Sequence, residues 1–171
     1  MPTEALMQFV ESWGAMGVLW GINRSMARVH ALLIVSGDPV GLDEIAAALR
    51  ISRGNASMCL KELRNWGVIR KVLVSGDRKD YYVVESDVWH MFFRIATERK
   101  KREFDPALEA LRQVRASDEA AAEPVRARLA EMEQLLATVD RIGAKFLEDE
   151  DASKTLLQFL TRQLLPDATR P

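Results

Sequence analysis

The hydrophobic positions in the first third of the chain recur at steps of three and four residues, the spacing of a helix that buries one face. They predict helices over residues 3–19, 23–35, 42–49 and 53–66. The run Ser36-Gly37-Asp38-Pro39 predicts a break between the second and the third helix, because glycine and proline interrupt regular structure. Ser52 is expected to cap the fourth helix, and Gly67 is expected to end it.

After Gly67 the hydrophobic period shortens to two residues, which is typical of β-strands. We expect strands over 68–74 and 81–84, with a hairpin tip at 75–80 between them. A short helix, a turn, a second helix and a β-hairpin, in this order, indicate a winged helix-turn-helix.

Helical spacing returns in the second half of the chain. Helices are predicted over residues 87–103, from there to about 114, over 123–147 and over 152–165. Ser86 is expected to cap the first of these helices. Asp105-Pro106 has the pattern of an N-cap followed by proline at the first helical position, so we expect a break or a kink there.

The helix over 123–147 carries hydrophobic residues at alternating steps of four and three, which is the heptad spacing of a packing seam. The seam comprises Val125, Leu129, Met132, Leu136, Val139, Gly143 and Phe146. Packing against the 87–114 region of the same subunit would bury it, and so would packing across a two-fold axis. In either case the expected fold is mainly α with a small β-hairpin wing and a helical arm.

The chain has 171 residues, one cysteine and a formal net charge of −1. A single cysteine excludes an intramolecular disulfide, and Cys59 falls on the buried side of its helix, where a thiol is usually inert. The longest uncharged apolar stretch, residues 13–22, is too short to span a bilayer, and no signal peptide is evident. We therefore expect a cytoplasmic protein without a membrane partner.

Catalytic signatures are missing from the sequence. It contains no glycine-rich phosphate loop, no nucleophile elbow and no pair of histidines at metal-ligand spacing. We therefore expect that the protein is not an enzyme and has no catalytic residues, no metal and no cofactor.

The charges are segregated although they nearly cancel. Residues 50–82 hold eight basic and three acidic residues, whereas residues 116–171 carry a net charge of −4. A local basic block is what a phosphate-binding surface requires, because the local potential matters more than the total charge. The alternative is an ordinary solvated surface.

Short polar and basic side chains are predicted on the exposed side of the fourth helix. A recognition helix needs such a face, because bases are read in the major groove through hydrogen-bond donors and acceptors. The expected contacts are Arg53 with guanine or phosphate, Asn55 with adenine, Ser57 with either, Met58 with a thymine methyl group, and Lys61 and Arg64 with phosphates. The alternative is an amphipathic helix with a solvated face.

The hairpin tip adds two more basic residues, Arg78 and Lys79. An arginine at a hairpin tip can enter the minor groove, where the negative potential is strong. We expect Asp77 or Asp80 to fix the orientation of Arg78 through a charge-assisted hydrogen bond. The alternative for this tip is a charged, solvated turn.

The run from Phe9 to Trp89 resembles the GbsR-type branch of the MarR-like winged-helix regulators. The motifs that carry the resemblance are Leu42-Asp43-Glu44-Ile45-Ala46, Ser52-Arg53-Gly54-Asn55-Ala56-Ser57-Met58, Leu63, Trp66-Gly67-Val68-Ile69 and Gly76-Asp77-Arg78-Lys79-Asp80-Tyr81-Tyr82. The resemblance implies a dimeric DNA-binding repressor, often of transport or osmoprotectant genes, that dimerises through helices outside the winged domain. Family members often have proline where this chain has Asn23, so the entry into the second helix is expected to differ.

These observations predict a transcription regulator that binds double-stranded DNA as a homodimer, with a small-molecule effector as a further partner. Residues 1–86 would form the DNA-binding domain and residues 87–171 the helical dimerisation region. The predicted DNA-binding residues are Ser52, Arg53, Asn55, Ser57, Met58, Lys61, Arg64, Arg78 and Lys79. The rival hypothesis is a protein-interaction module that keeps the winged fold without reading DNA; the basic block favours DNA.

Overall fold

The computed structural model describes residues 2–85, 87–117 and 123–164. Its first half contains the helices α1 (Glu4–Leu19), α2 (Arg24–Val35), α3 (Leu42–Leu49) and α4 (Arg53–Asn65). Each begins and ends within one residue of the range that the hydrophobic spacing predicts. None of the helices in the described ranges combines the length and the apolar character needed to cross a membrane.

Polar caps determine where α2 and α4 begin. The Asn23 side chain accepts hydrogen bonds from the backbone N–H groups of Ser25 and Met26, at 2.9 and 3.2 Å. At the start of α4, Ser52 Oγ accepts from the N–H of Asn55 at 3.1 Å, as the sequence predicts. Asparagine therefore starts α2 as a side-chain cap.

A small antiparallel sheet follows α4. The strands are β1 (Val40–Gly41), β2 (Ile69–Val72) and β3 (Tyr81–Val84), in the spatial order β1-β3-β2. The hairpin of β2 and β3 confirms the predicted wing, with β2 shorter than the predicted strand. The sequence analysis missed β1, because a strand of two residues is too short to show an alternating pattern.

The core of this first unit is built around α2. This helix contacts α1, α3, α4 and the strand β3. The fully buried side chains include Val10, Val29, Leu32, Leu33, Ile45, Leu49, Leu60, Leu63 and Val68. The two helices of the helix-turn-helix therefore share one hydrophobic core with the helix that precedes them.

The helices α1 and α2 approach each other closely where α1 carries glycine. A Cβ atom on Gly17 would lie 2.6 Å from the Cβ of Ala27, and one on Gly14 would lie 2.5 Å from the Cγ of Arg28. Beside this contact, Glu11 of α1 forms ion pairs with Arg28 and, at 3.2 Å, with Arg24. Small residues and a carboxylate shared by two arginines thus hold α1 against α2.

A second compact unit begins at Phe92, within α5 (Val88–Arg99). The remaining elements are a π-helical segment (Lys100–Phe104), α6 (Asp105–Ala116), α7 (Glu123–Glu148) and α8 (Glu150–Leu164). Ser86, the predicted cap of α5, lies outside the described residues. The carboxylate of Asp87 accepts hydrogen bonds from the N–H groups of Trp89 and His90, at 2.8 and 3.1 Å.

The prediction that Asp105 caps a new helix is wrong, because the helical path continues through it. Asp105 is helical, and its N–H donates to the carbonyl of Lys100, five residues back. A proline in a helix cannot donate a backbone hydrogen bond, and its ring crowds the carbonyl four residues back. For Pro106 that carbonyl belongs to Arg102, within the π segment, whose wider turn accommodates the ring.

Ion pairs and an aromatic contact join α7 to the elements before it in an antiparallel arrangement. Glu133 pairs with Arg112, at 3.6 Å, and with Arg115 of α6. Further along, Asp140 pairs with Lys100 at 2.7 Å. The rings of Phe93 and Phe146 lie 5.5 Å apart between centroids.

This packing covers some residues of the predicted heptad seam and leaves others exposed. Leu129 and Leu136 share a helix face with Glu133, which pairs with α6, and both leucines are half-buried. The neighbouring stripe is exposed within the chain. It comprises Val125, Met132, Leu135, Val139 and Ile142, of which the sequence analysis missed Leu135 and Ile142. Thus one edge of the seam packs within the subunit, and the other is uncovered.

A candidate nucleic-acid interface

The helix α4 presents a buried face and an exposed face at helical spacing. Ala56, Cys59, Leu60 and Leu63 point into the core shared with α2 and α3. The opposite side exposes the side chains of Ser52, Arg53, Ser57, Met58, Lys61 and Arg64. Met58, the large apolar side chain on this side, is 68% exposed. These six predicted site residues therefore lie on one accessible side of the helix.

The cations at the far end of this face are available to a ligand. In residues 2–85, 87–117 and 123–164, neither Lys61 nor Arg64 has a hydrogen-bond or ion-pair partner for its side chain. Arg53, in the first turn, pairs with Asp43 of α3 across 3.3 Å, and both side chains are more than half exposed. An exposed pair of this kind contributes little stability, so Arg53 can exchange the carboxylate for a phosphate or a base.

Asn55 is not on the exposed face, contrary to the sequence prediction. It is half-buried, and its Nδ2 donates a hydrogen bond to Ser25 Oγ of α2 at 3.2 Å. Its Oδ1 accepts from Cys59 Sγ at 3.5 Å. The reason is the helical spacing: Asn55 lies next to the buried Ala56 and one turn before the buried Cys59. The amide of Asn55 thus makes its hydrogen bonds within the protein, and its contact with adenine stays a prediction.

The wing tip is held by Asp77 rather than by contacts of Arg78. Asp77 accepts hydrogen bonds from the N–H of Lys79 and from the Tyr81 hydroxyl, both at 2.9 Å. The hydrogen bond from the Lys79 N–H, and after it the bond from the Tyr81 hydroxyl, lower the pKa of Asp77. The hydrogen bond to Asp77 raises the pKa of Tyr81. Gly76 adopts a φ of 86°, a conformation that favours glycine.

The expected orientation of Arg78 by Asp77 or Asp80 is wrong. Asp77 is engaged by Lys79 and Tyr81, and Asp80 forms a 2.6 Å ion pair with Lys71 of β2. Both wing carboxylates therefore have other partners. The side chain of Arg78 projects from the tip without a partner in the part of the chain that the structure describes.

A cleft of about 390 Å³ separates the first turns of α4 from the wing. Arg53 and Ser57 line one side, while Arg78 and Lys79 line the other. Asp43, Glu44 and Asp80 also reach this cleft, so its charge is mixed. Lys61 and Arg64 lie outside it, further along α4. The fold thus brings together predicted residues from two motifs that are about 20 residues apart in the sequence.

Sequence reasoning missed two residues that shape this interface. Ser25 supports α4 from α2, and Tyr81 holds the wing carboxylate. Asp77 and Tyr81 are four residues apart and belong to one predicted hairpin, so their contact is local in the sequence. No comparable signal existed for Ser25, which is 30 residues from its partner Asn55.

Three of the four cations in the run Arg99-Lys100-Lys101-Arg102, at the end of α5 and the start of the π segment, form ion pairs with carboxylates. Arg99 pairs with Glu103 at 2.7 Å, and Arg102 pairs with Glu98 at 3.3 Å. Lys100 lies between Asp105 and Asp140, at 2.6 and 2.7 Å, and these contacts raise its pKa.

The second unit contains a groove of about 420 Å³ beside this run. Its apolar lining is Phe104, Ala107, Val139 and Leu147. Gly143 of α7 faces open space, since a Cβ atom there would meet nothing within 4 Å. The π segment on one side and a glycine on the other leave room for a ligand of small-molecule size.

Comparison with known proteins confirms the resemblance to GbsR-type regulators. The chain is 28% identical over 98 residues to the HTH-type transcriptional repressor GbsR of Bacillus subtilis, covering 57% of this chain and 54% of GbsR. It is 28% identical over 76 residues to the repressor OpcR of the same organism, covering 44% and 41%. The chain thus matches about half the length, or less, of these curated relatives. No family model matches it.

Two other proteins match over more of their length. The HTH-type transcriptional regulator MmpR5 of Mycobacterium tuberculosis is 29% identical over 139 residues, covering 80% of this chain and 81% of MmpR5. A crystal structure of a transcriptional regulator, 26% identical, aligns with a TM-score of 0.56 over 84% of this chain and 96% of that one. The winged helix-turn-helix and the helices that follow it are thus shared with solved and curated regulators.

Proposed function

We propose that this chain is a sequence-specific DNA-binding transcription regulator, a repressor that acts in the cytoplasm as a homodimer on a pseudo-palindromic operator. The observation that carries the proposal is the exposed basic face of α4 beside the basic wing. Arg53, Lys61 and Arg64 on the helix, together with Arg78 and Lys79 on the wing, give a positive surface in a chain whose net charge is −1. Relatives named as regulators rather than enzymes support it.

The exposed residues of α4 divide by position into base contacts and phosphate contacts. Residues near the N-terminus of a recognition helix reach base edges. Arg53 and Ser57 occupy such positions, and Met58 offers an apolar contact to a thymine methyl group. Lys61 and Arg64, one and two turns further along, suit backbone phosphates, which supply affinity without sequence preference.

The wing supplies the flanking contact in this proposal. Because Asp77 is engaged with Lys79 and Tyr81, the tip is ordered while the Arg78 guanidinium remains unpaired in the described residues. An unpaired guanidinium on a fixed tip suits the narrow, strongly negative minor groove.

The helical unit serves dimerisation in this proposal. Its exposed apolar side chains include Met132, Leu135, Val139 and Ile142 on α7, and Leu156, Phe159, Leu160 and Leu164 on α8. Apolar stripes of this length are rarely left uncovered on a monomer. A second copy would cover them and place two recognition helices on one face of the DNA. We assign residues 1–86 to DNA binding and 87–171 to dimerisation.

We infer that the groove beside Gly143 is the site of a small-molecule effector. Its walls are apolar, and the charges at its rim cancel in two ion pairs, Arg99 with Glu103 and Lys100 with Asp140. The fitting ligand is an uncharged apolar molecule. Nile red, an uncharged apolar dye, should bind the wild type, and Gly143→Leu, which fills the groove, should weaken that binding. The control is Ala144→Leu, an exposed position on the same helix; equal losses in both variants would contradict the site.

A DNA titration by fluorescence anisotropy over a series of salt concentrations tests the DNA-binding proposal. The double variant Arg53→Ala/Lys61→Ala should bind DNA at least tenfold more weakly than the wild type, and Lys61→Ala alone should lower the salt slope by about one. Arg128→Ala/Arg141→Ala removes two exposed cations from α7 instead and is the matched control.

If the α4 double variant binds DNA as the wild type does, α4 is not the recognition helix. If both double variants lose the same affinity, the attraction is a general charge effect rather than a property of α4. A folded wild type that binds no DNA at all would favour the rival hypothesis, a protein-interaction module with the winged fold.

A further inference from the structure

The amide of Asn55 lies within the proposed DNA-binding helix, yet it is used inside the protein. An asparagine recognises adenine by donating one hydrogen bond and accepting another through its side-chain amide. Here Nδ2 already donates to Ser25 Oγ at 3.2 Å, and Oδ1 accepts from Cys59 Sγ at 3.5 Å. Both ends of the amide are thus engaged within the protein, and these bonds direct the side chain toward Ser25 and Cys59 rather than toward a base edge.

The partner of Asn55 on α2 is itself held in place. Ser25 lies in the first turn of α2, and its backbone N–H donates to the Asn23 cap at 2.9 Å. The helix α2 is the centre of the core and carries the buried side chains Val29 and Leu32. The backbone of Ser25 is therefore held in place by the cap of α2 and by the core.

Asn55 holds the first turn of α4 through both its backbone and its side chain. The backbone N–H of Asn55 donates to the Ser52 cap at 3.1 Å, while its side chain reaches Ser25. One turn later the Sγ of Cys59, a residue that is 5% exposed, donates a hydrogen bond to the Oδ1 of Asn55. All three contacts lie in the first two turns of α4, where the helix follows the turn after α3.

We propose that Asn55 is a positioning residue that sets the orientation of α4 on α2 through the Ser25 hydroxyl. It contributes to DNA binding through the exposed residues that it places, and it reads no base itself. A binding site tolerates errors of about 0.5 Å, or 10–20° in orientation, so a loosened first turn would misplace Arg53 and Ser57 together. The inference rests on the proposed DNA-binding function.

The expected signature is that Asn55→Ala and Ser25→Ala change DNA binding in the same way. Each should weaken binding to the selected operator about three- to tenfold, the range of one net hydrogen bond. The two variants should also show the same ratios among operators that carry single base-pair changes, because both misplace Arg53 and Ser57 together. The double variant should lose no more than either single variant, because both remove the same bond.

Two control variants distinguish a positioning role of Asn55 from a base contact and from a packing contact. Ser25→Thr keeps the hydroxyl and should retain wild-type affinity. Ser57→Ala removes an exposed side chain from the same helix and should change the preference at one base pair. All titrations are made well below the melting temperatures, which circular dichroism supplies, so that loss of folded protein does not contribute.

Three results would overturn the inference. Asn55→Ala that relaxes the preference at one base pair, while Ser25→Ala binds normally, would make Asn55 a base-reading residue. Variants that melt earlier but keep their affinity at low temperature would make the Ser25 contact a packing contact only. A folded wild type that binds no operator would contradict the proposed function and this inference with it, whereas the first two results leave the proposed function intact.

Discussion

His30 shows how a buried polar residue can be structural. It is 4% exposed in α2, its ring centroid lies 6.4 Å from that of Trp13, and its Nε2 has no hydrogen-bond partner in the part of the chain that the structure describes. Burial lowers the pKa of His30 to about 4, because the charged form would lose its hydration. The side chain therefore stays neutral at physiological pH.

This pKa predicts how stability depends on pH. The unfolded chain takes up a proton on His30 near pH 6.5, whereas the folded protein does so only near pH 4. Between these values the unfolded state binds more protons, so the free energy of unfolding falls as the pH falls. The loss attributable to His30 should approach roughly 3 kcal/mol by pH 4.

Urea unfolding of the wild type and of His30→Leu between pH 4 and pH 8 checks this prediction. The wild-type curve should decline more steeply below pH 6.5 than that of the variant. Parallel curves would show that His30 is not the group responsible, and that carboxylates alone determine the acid sensitivity.

Arg78 carries the second prediction at this scale. It is exposed on the wing, and Asp77, not Arg78, holds the turn. Arg78→Ala should therefore reduce DNA affinity while the melting temperature changes by less than about 1 °C. Asp77→Ala is the informative counterpart, since it removes the bonds to Lys79 and Tyr81 and should weaken DNA binding without removing a cation. A marked loss of stability in Arg78→Ala with normal DNA affinity would make Arg78 structural.

At the scale of elements, the contact between α1 and α2 depends on the absence of a side chain at Gly17. A Cβ there would lie 2.6 Å from the Cβ of Ala27, so one helix must shift. Gly17→Ala should destabilise the protein by about 1–3 kcal/mol despite the better helix propensity of alanine. Thermal unfolding measures the effect.

Gly143 provides the matched control for this substitution. It is also helical, but a Cβ there meets nothing within 4 Å. Gly143→Ala should therefore stabilise the protein by about 0.5–1 kcal/mol, the propensity difference alone. If both alanine variants change stability in the same direction, close packing at Gly17 does not limit the approach of α1 to α2.

The elements of the first unit could be predicted because each carries local signals. Helical periodicity gave α1 to α4, Ser52 marked the start of α4, and Gly67, with a φ of 71°, marked its end. The strand β1 could not be predicted, because Val40 and Gly41 become a strand only through pairing with Tyr82 and Tyr81 of β3. A segment of two residues is too short to show a hydrophobic period, and its partner strand is distant in the sequence.

In the candidate site, the sequence predicts the residues at the centre of the exposed face of α4 but not those at its boundary. Helical spacing placed Arg53, Ser57 and Lys61 on the exposed side, where the structure has them. Asn55 lies at the boundary of that face, and its orientation is decided by Ser25 on another helix. A residue at the edge of a face cannot be assigned from periodicity, because its partners are distant in the sequence.

At the scale of the whole molecule, the described part of the helical unit exposes apolar side chains along both α7 and α8. Leu129 and Leu136 of the seam are half-buried against the same chain, so charged substitutions there would disturb folding. Leu135 and Ile142, on the neighbouring exposed stripe of α7, are 64% and 66% exposed. They are the positions at which an interface with a second copy can be tested without loss of the core.

Leu135→Glu/Ile142→Glu should therefore lower the dimer content and the operator affinity while the subunit remains folded. Gln134→Glu/Thr138→Glu adds the same charge on exposed, polar positions of α7 and should leave both properties unchanged. Light scattering and a DNA titration on the same samples provide the two readouts. A dimer that persists in the first variant would place the subunit contact elsewhere, and a wild type that is monomeric at micromolar concentration would remove the dimer altogether.

The central claim is that two copies of this chain read a specific DNA sequence. Selection of binding sequences from a random double-stranded DNA library tests it most directly. We expect enrichment of a pseudo-palindrome whose half-sites lie about one helical turn, or roughly 10 base pairs, apart, and no enrichment by Arg53→Ala/Lys61→Ala. A folded wild type that enriches no sequence would contradict the claim, and an enriched site without two-fold symmetry would contradict its dimeric form.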